Sequence, residues 1–348
     1  MTVSIDGVKI GPGHPPYIIA ELSANHNGSL ERALATIDEA KRCGASAIKL
    51  QTYTADTMTI DSDRAEFLIR GGPWDGYKLY DLYQLAQTPF EWHKAMFEHA
   101  RKIGITVFST PFEESAVDLL EGLNTPAYKI ASFELTDLPL IEYVAKTGKP
   151  MIVSTGMASE YEIEEAVSTA RNAGCEELVL LHCVSSYPAP LNQANVSQLV
   201  QLGKQFDTVP GLSDHTLGTT ASVAAVALGA CLIEKHFTLN RNDGGPDSTF
   251  SLEPDEFISL VQDSNDAWMA VGNPGYERQD VELGNKLFRR SIYFLRDIKA
   301  GEKVSEKDIG RIRPGHGLPP KYFNSLIGKK MKVNVSRGMP TALDQFHE

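Results

Sequence analysis

Between residue 17 and about residue 270, short apolar, β-branched runs alternate with amphipathic segments whose apolar positions recur at helical spacing. The apolar runs predict strands at Tyr17–Leu22, Ala45–Leu50, Thr106–Thr110, Ala127–Ser132, Pro150–Ser154, Leu178–Val184, Thr208–Leu212 and Cys231–Phe237. The helical patterns fall at Leu30–Cys43, Pro89–Ile103, Glu113–Leu123, Pro139–Lys146, Glu160–Asn172, Val196–Gln205, Thr219–Leu228 and Glu253–Val271. Ser29 ahead of Glu31 and Arg32, and Pro89 and Pro139 in first turns, act as start signals. Eight strand-then-helix units with continuous apolar strands predict a parallel sheet covered on both faces. Eight is also the number that closes a (β/α)8 TIM barrel within about 250 residues. A doubly wound open sheet competes, but no Gly-rich dinucleotide turn follows the first strand.

The pattern breaks in two places. The connection from Thr52 to Thr88 is much longer than the others and carries Asp56, Asp61, Asp63, Arg64, Gly71, Gly72, Trp74 and several tyrosines. Loops of that length in a compact domain often serve as substrate lids. Past Gly272 the sequence Gly272-Asn-Pro-Gly275 opens a linker. Beyond it, short strands are expected at Ser291–Phe294 and Lys332–Val335, with a turn at Lys299–Glu302. The expected organisation is a barrel over 1–271, a linker over 272–290 and a small β-rich module over 291–348.

Composition narrows the functional classes. With 42% hydrophobic and 22% charged residues, the 348-residue chain can bury a large core. A formal net charge of -12 lacks the basic footprint of general nucleic-acid or anionic-membrane binding. A local cluster of Lys and Ser can still reverse the sign inside one pocket. Cys43, Cys175, Cys183 and Cys231 form no C-x-x-C pair and read as small buried thiols of a reducing compartment. No secretory leader is evident, and the longest apolar stretch, Ala221 to Leu232, is too short to span a bilayer, so a soluble cytoplasmic protein is expected.

In a barrel of this kind, chemistry sits at the C-terminal ends of the strands. Polar residues crowd those ends: Glu21 and the residues after it, Lys49 and Gln51, Ser109 and Thr110, Lys129, Ser132 and Glu134. The later strands continue with Ser154, Ser185 to Tyr187, Ser213 to His215, and Glu234 to His236. The opposite ends are mostly apolar. His215 and His236 close strands seven and eight, which neighbour each other in a closed barrel. With carboxylates such as Glu21 or Asp247 nearby, they have the composition of a divalent-metal site suited to Mn²⁺, Fe²⁺ or Co²⁺ more than Mg²⁺. The set is one ligand short of catalytic zinc.

A single Ser at a strand end is an ordinary helix N-cap. Ser132, Ser154, Ser185 and Ser213 in register with Lys49 and Lys129 instead suggest a site for phosphate and carboxylate. No G-x-S-x-G elbow surrounds any of them. Glu134 is the candidate general acid/base, with a lysine-paired structural carboxylate as the alternative. Thr110, Tyr187 and Asp247 are further substrate-binding candidates. Arg313 precedes a proline in the small module, which favours extended chain.

These motifs resemble the sialic acid synthase family over essentially the whole chain. They are Glu21-Leu-Ser-Ala-Asn-His-Asn-Gly28, Phe108-Ser-Thr-Pro-Phe112, Tyr128-Lys-Ile-Ala-Ser132, Ser154-Thr-Gly-Met157, Gly211-Leu-Ser-Asp-His215 and Ile233-Glu-Lys-His-Phe-Thr238. The resemblance implies a phosphoenolpyruvate-condensing TIM barrel followed by an antifreeze-like (SAF) domain. It also implies that His215 and His236 bind a divalent metal (Mn²⁺ first, Mg²⁺ or Co²⁺ otherwise), and that Lys129, Ser132, Ser154 and Ser213 hold phosphoenolpyruvate. Glu21 and Lys49 would line the pocket. Arg313 would reach an amino-sugar aldehyde in the other subunit of a domain-swapped homodimer. Leu22-Ser-Ala24, Leu50–Thr57, Trp74–Tyr83 and Asn242–Ser248 are most similar to the pseudaminate branch. That branch implies 2,4-diacetamido-2,4,6-trideoxy-L-altrose as co-substrate. Two other readings stand beside it. One is a metal-dependent sugar isomerase, disfavoured by the Lys/Ser anion set. The other is a module binding ice or carbohydrate, which leaves the polar rim without a purpose.

Overall fold

The computed structural model describes all residues 1–348, which divide into two compact units, Met1–Gly272 and Asn273–Glu348. In the first unit a short antiparallel hairpin, β1 (Val3–Ile5) and β2 (Val8–Ile10), precedes eight barrel strands. These are β3 (Tyr17–Glu21), β4 (Ala47–Thr52), β5 (Thr106–Pro111), β6 (Tyr128–Ile130), β7 (Met151–Ser154), β8 (Leu178–Cys183), β9 (Val209–Asp214) and β10 (Leu232–His236). All pair in parallel and in chain order, and β10 returns to β3 to close the barrel. The open-sheet alternative is thereby excluded.

The expected helices form close to their sequence limits, from Leu30–Arg42 to Pro254–Val271. Ser29 caps the first by accepting from the Arg32 amide, and Ser159 with Glu162 forms a capping box on Glu160–Asn172. The Thr52–Thr88 connection is not structureless: it contains helices at Ala55–Met58 and Leu79–Ala86.

Side-chain alternation divides each strand between two environments. Ile18, Ala20, Ile48, Leu50, Val153, Leu212 and Ile233 face the helices and form the larger core. Tyr17, Ile19, Ala47, Phe108, Ile152, Val179, Leu181 and Leu232 face the lumen. They pack against Val3, Ile5 and Ile10, so the hairpin plugs the N-terminal end of the barrel. Periodicity did not foresee this hairpin, because three-residue strands are too short to show a repeat. Gly211 is required where it stands: an added Cβ would lie 2.6 Å from the Leu232 carbonyl oxygen.

The second unit holds a small core of Ile292, Phe294, Ile298, Val304, Ile309, Leu326, Met331 and Val335. Its first strand, β11 (Ser291–Phe294), forms as expected, but its partner is β12 (Ile309–Ile312). The strand expected at Lys332–Val335 does not form. Val335 exchanges one pair of backbone hydrogen bonds with Ile298, and the chain then departs, so no ladder can extend. The turn at Lys299–Glu302 is present, closed by the Glu302 amide on the Lys299 carbonyl. No helix is long and apolar enough to cross a membrane.

Because Ile5 is fully buried in the plug, Ile5→Ala should cost about 2–5 kcal/mol of stability through the cavity it leaves. Chemical denaturation would show a lowered midpoint at constant slope; an unchanged midpoint would mean the plug carries no stability.

Candidate active site

Lumen parity continues upward on every strand from apolar to polar. Below Glu21 lies Ile19, below Lys49 Ala47, below Thr110 Phe108, below Lys129 Ala127, and below Ser154 Ile152. Gly211 precedes Ser213 and His215, and Leu232 precedes Glu234 and His236. The polar layer therefore points into one cavity at the C-terminal end of the barrel.

At its floor lies a buried charge network. Lys49 Nζ is 3.2 Å from Glu21 and 3.1 Å from Glu234, and Lys129 Nζ is 3.7 Å from Glu234. Ser213 Oγ donates to Glu234 at 3.0 Å, while Gln51 donates to Glu21 at 2.9 Å and to Ser23 Oγ at 3.0 Å. All four charged side chains are at most 6% exposed. Each group's proton affinity follows from its neighbours. Burial opposes ionisation of Glu234, but Lys129 and Lys49 overcome it and hold the carboxyl low. Burial dominates at Glu21, which is raised despite Lys49. Lys129 is pulled down to about 8 by burial, with too little carboxylate contact to compensate.

Around this floor, several buried polar atoms have no partner: Thr110 Oγ1, Ser154 Oγ, Glu134 Oε2 and His236 Nδ1. Buried polar atoms are normally satisfied, and a cluster of unpartnered ones beside two lysines suits a polar, anionic ligand. Gly156, at φ +40°, keeps this space open: an added Cβ would fall 2.6 Å from Ser132 Oγ and 2.7 Å from Ser185 Oγ. Glu134 sits in a short 3₁₀ turn at the end of β6, its carboxyl lifted to about 7 by burial.

The imidazoles of His215 and His236 lie with centroids 5.6 Å apart. His215 Nδ1 donates to the Val184 carbonyl at 2.9 Å, leaving Nε2 as the donor nitrogen, and Cys183 Sγ lies 3.7 Å from the same Nδ1. Burial, and then His215 and Lys49, hold His236 well below its usual pKa and hence neutral. No group of three His, Cys, Asp or Glu side chains converges as a metal cage. Glu21 is engaged by Lys49 and Gln51, and Asp247 accepts from Ser23 Oγ and the Ala24 amide. Burial works against protonation of His215, but Cys183, the Val184 carbonyl and Glu234 together raise its pKa. The residues fit an ion that takes two imidazole nitrogens and completes its sphere with water and substrate oxygens.

Three aromatic rings wall one side of this pair. Tyr187 lies 4.3 Å from His215, and Phe250 lies 5.0 Å from His236 and 5.2 Å from Tyr187, centroid to centroid. Trp74, from the long connection after β4, packs against Tyr187 with centroids 5.6 Å apart and planes inclined at 52°, and donates Nε1–H to the Pro246 carbonyl at 3.0 Å. The connection thus reaches across the mouth to the loop after β10.

The structure brings together every barrel-borne candidate: Glu21, Lys49, Thr110, Lys129, Ser132, Glu134, Ser154, Tyr187, Ser213, His215, His236 and Asp247. Arg313 belongs to the second unit, where it lines an exposed cavity of about 520 Å³ with Arg290 and Arg311. Sequence reading put Glu234 among the polar strand ends without a role, took Cys183 only as a buried thiol, and did not single out Phe250. Counting two residues back from His236 places Glu234 in the lumen, and the same count along β8 places Cys183 there. Nothing local marks Phe250, which comes from a loop.

A profile of the NeuB family matches residues 36–276, and a SAF-domain profile matches residues 289–344. The chain is 46% identical over 322 residues to the pseudaminic acid synthase of Campylobacter jejuni, covering 92% of this chain and 94% of that protein. It is 43% identical over 334 residues to the pseudaminic acid synthase of Helicobacter pylori, covering 95% and 98%. Among solved structures, an N-acetylneuraminic acid synthetase from Leptospira borgpetersenii superposes with a TM-score of 0.74 at 33% identity, covering 82% of this chain and 95% of that one.

With its carboxyl lifted from 4.5 to about 7, Glu134 keeps in the native state a proton that the unfolded chain has already released between those values. Stability therefore falls as pH rises through that window and stays reduced above it. Glu134→Gln should melt higher than the parent at about pH 8, by about 1–3 kcal/mol, with the gap closing below about pH 4. Calorimetry showing equal stability at both pH values would mean that Glu134 is not held protonated.

Proposed function

The chain belongs to the NeuB family, and we propose that it condenses phosphoenolpyruvate with 2,4-diacetamido-2,4,6-trideoxy-L-altrose and water to give pseudaminic acid and phosphate. The observation that carries this reading is the juxtaposition, at one barrel mouth, of a lysine/hydroxyl anion site with two adjacent imidazoles. An isomerase has no use for the anion site.

Phosphoenolpyruvate brings a phosphate and a carboxylate. Lys49 and Lys129 supply countercharge, while Thr110, Ser132 and Ser154 supply hydroxyl donors, Thr110 and Ser154 being otherwise unpartnered, and Ser213, whose hydroxyl donates to Glu234, lines the same site. His215 and His236 would hold a divalent ion, with Mn²⁺ first and Mg²⁺ or Co²⁺ as alternatives. When bound, that ion supplies Lewis acidity towards the aldehyde oxygen. Carbon 3 of phosphoenolpyruvate forms a bond to the aldehyde carbon as the carbonyl π pair moves to its oxygen, which takes up a proton in exchange for the one that water releases on adding at carbon 2. The carbon 2–oxygen bond to phosphate breaks, and phosphate departs with the electron pair. Glu134, with a carboxyl near neutrality, is suited to orient that water and accept its proton. Glu21 holds Lys49 in place.

The Trp74–Tyr187–Phe250 wall supports the deoxy-diacetamido sugar, because a methyl and an acetamido methyl are better accommodated by aromatic faces than hydroxyls are. Asp247 and Tyr187 would meet the sugar's polar groups. Exposed Tyr276, Val281, Leu287 and Phe288 support a homodimer in which a second copy covers them and contributes Arg313 to the sugar site. Four free, buried cysteines support a reducing, cytoplasmic setting.

Phosphate release from phosphoenolpyruvate is expected with the altrose derivative and not with N-acetylmannosamine or the legionaminate-type isomer at comparable efficiency, with mass analysis identifying the nine-carbon product. Preference for another sugar of the panel would reassign the product, and no phosphate release with any would sink the condensation. His236→Ala with saturating Mn²⁺ should be inactive; turnover close to the parent's would remove the imidazole pair from the chemistry. Trp74→Ala should lower kcat/KM for the altrose derivative by about 10–100-fold while leaving the KM for phosphoenolpyruvate within about twofold. A loss shared equally by all sugars would show that the wall does not discriminate.

A further inference from the structure

Directly behind the imidazole pair, on the face of the sheet turned towards the helices, Lys235 and Asp214 form an ion pair at 2.8 Å with both side chains 1% exposed. Neighbouring positions of the same parity, Leu212 and Ile233, are apolar, as that face requires. A buried pair of charges is a weak source of stability compared with apolar side chains of similar volume. Its location points to a different role.

Asp214 immediately precedes His215, and Lys235 immediately precedes His236. Their strands are in register, with Ser213 opposite Glu234 and Asp214 opposite Lys235, so one further residue sets His215 level with His236. Lys235 Nζ also donates to the carbonyl of Thr216, at 2.6 Å. Asp214 Oδ1 accepts from both the amide and the hydroxyl of Thr216, each at 2.8 Å. Ser222, on the helix Thr220–Ala227, ties Asp214 Oδ2 to that helix at 2.6 Å. A single ammonium therefore grips the chain on both sides of His215 from the backbone position adjoining His236. On the lumen face, the preceding Ser213–Glu234 pair is itself hydrogen-bonded.

We propose that the Lys235–Asp214 pair is a positioning device that fixes the separation and relative tilt of His215 and His236, and thereby the metal affinity of a site with only two protein ligands. The inference rests on the metal reading above. A site with three or four protein ligands averages out small errors in any one of them. With two, a displacement of either imidazole is felt in full, so the register of β9 and β10 beneath them has to be locked.

The test uses Mn²⁺ alone, titrated into the full-length chain and followed by the electron paramagnetic resonance signal of free Mn²⁺, with no substrate and no turnover. Lys235→Met should raise the Mn²⁺ Kd about tenfold or more. Stranding one buried charge can also unfold the chain, so the charge-free double variant Asp214→Leu/Lys235→Met is measured alongside, with circular dichroism melting to establish its fold. Ser222→Ala, which strands no charge, should raise the Kd about two- to fivefold. A folded double variant and a Ser222→Ala variant that both bind Mn²⁺ within about twofold of the parent would overturn the proposal while leaving the metal reading intact. A parent that binds no Mn²⁺ would overturn both.

Discussion

Four charges kept out of water in one lumen govern everything at the barrel mouth. Glu21, Lys49, Lys129 and Glu234 are each buried, and removing an ion from water costs several kcal/mol even after relaxation. They tolerate it by sharing partners: Glu234 faces both ammoniums, and Lys49 faces both carboxylates. The sharing is unequal, and the inequality sets the chemistry. Lys129 has one distant carboxylate and falls to about 8, within reach of losing its proton. An anionic substrate arriving among the unpartnered hydroxyls brings the charge that Lys129 lacks. The charge balance of the lumen thus favours an anionic ligand.

The fold makes this arrangement affordable by separating two jobs along each strand. Residues of one parity face the helices and are almost wholly apolar. Those of the other parity begin apolar against the hairpin plug and end polar at the mouth. Asp214 and Lys235 are the charged exception on the helix-facing side, and they occur where two strands carry the imidazoles. The loops then finish the cavity. Trp74 arrives from the connection after β4 and Phe250 from the one after β10, so the aromatic wall is assembled by segments about 170 residues apart that meet at the Trp74–Pro246 hydrogen bond.

Much of this was readable from the chain. Strand and helix alternation identified the barrel because each of its eight units repeats one hydrophobic signature long enough to exceed noise. Polar residues at one end of each strand identified the mouth, since the same parity rule that buries Ile19 also aims Glu21. His215 and His236 were recognisable as neighbours because barrel strands adjoin in chain order. The β1–β2 hairpin was not readable, being too short to show a period. The strand expected at Lys332–Val335 failed because alternation says nothing about whether a partner runs alongside for more than one residue pair.

The sequence by itself determined which residues share a face and which end of the barrel they reach, since both follow from local periodicity and connection order. Only the tertiary structure decided how the charges pair. Whether Glu234 or Glu21 holds the central place between two lysines depends on distances near 3 Å across a closed lumen. The same holds for Trp74 meeting Phe250, and for Lys235 gripping both flanks of His215. Interactions between residues distant in the chain fall off steeply with separation and strengthen with burial, and neither separation nor burial is encoded in any one stretch of sequence.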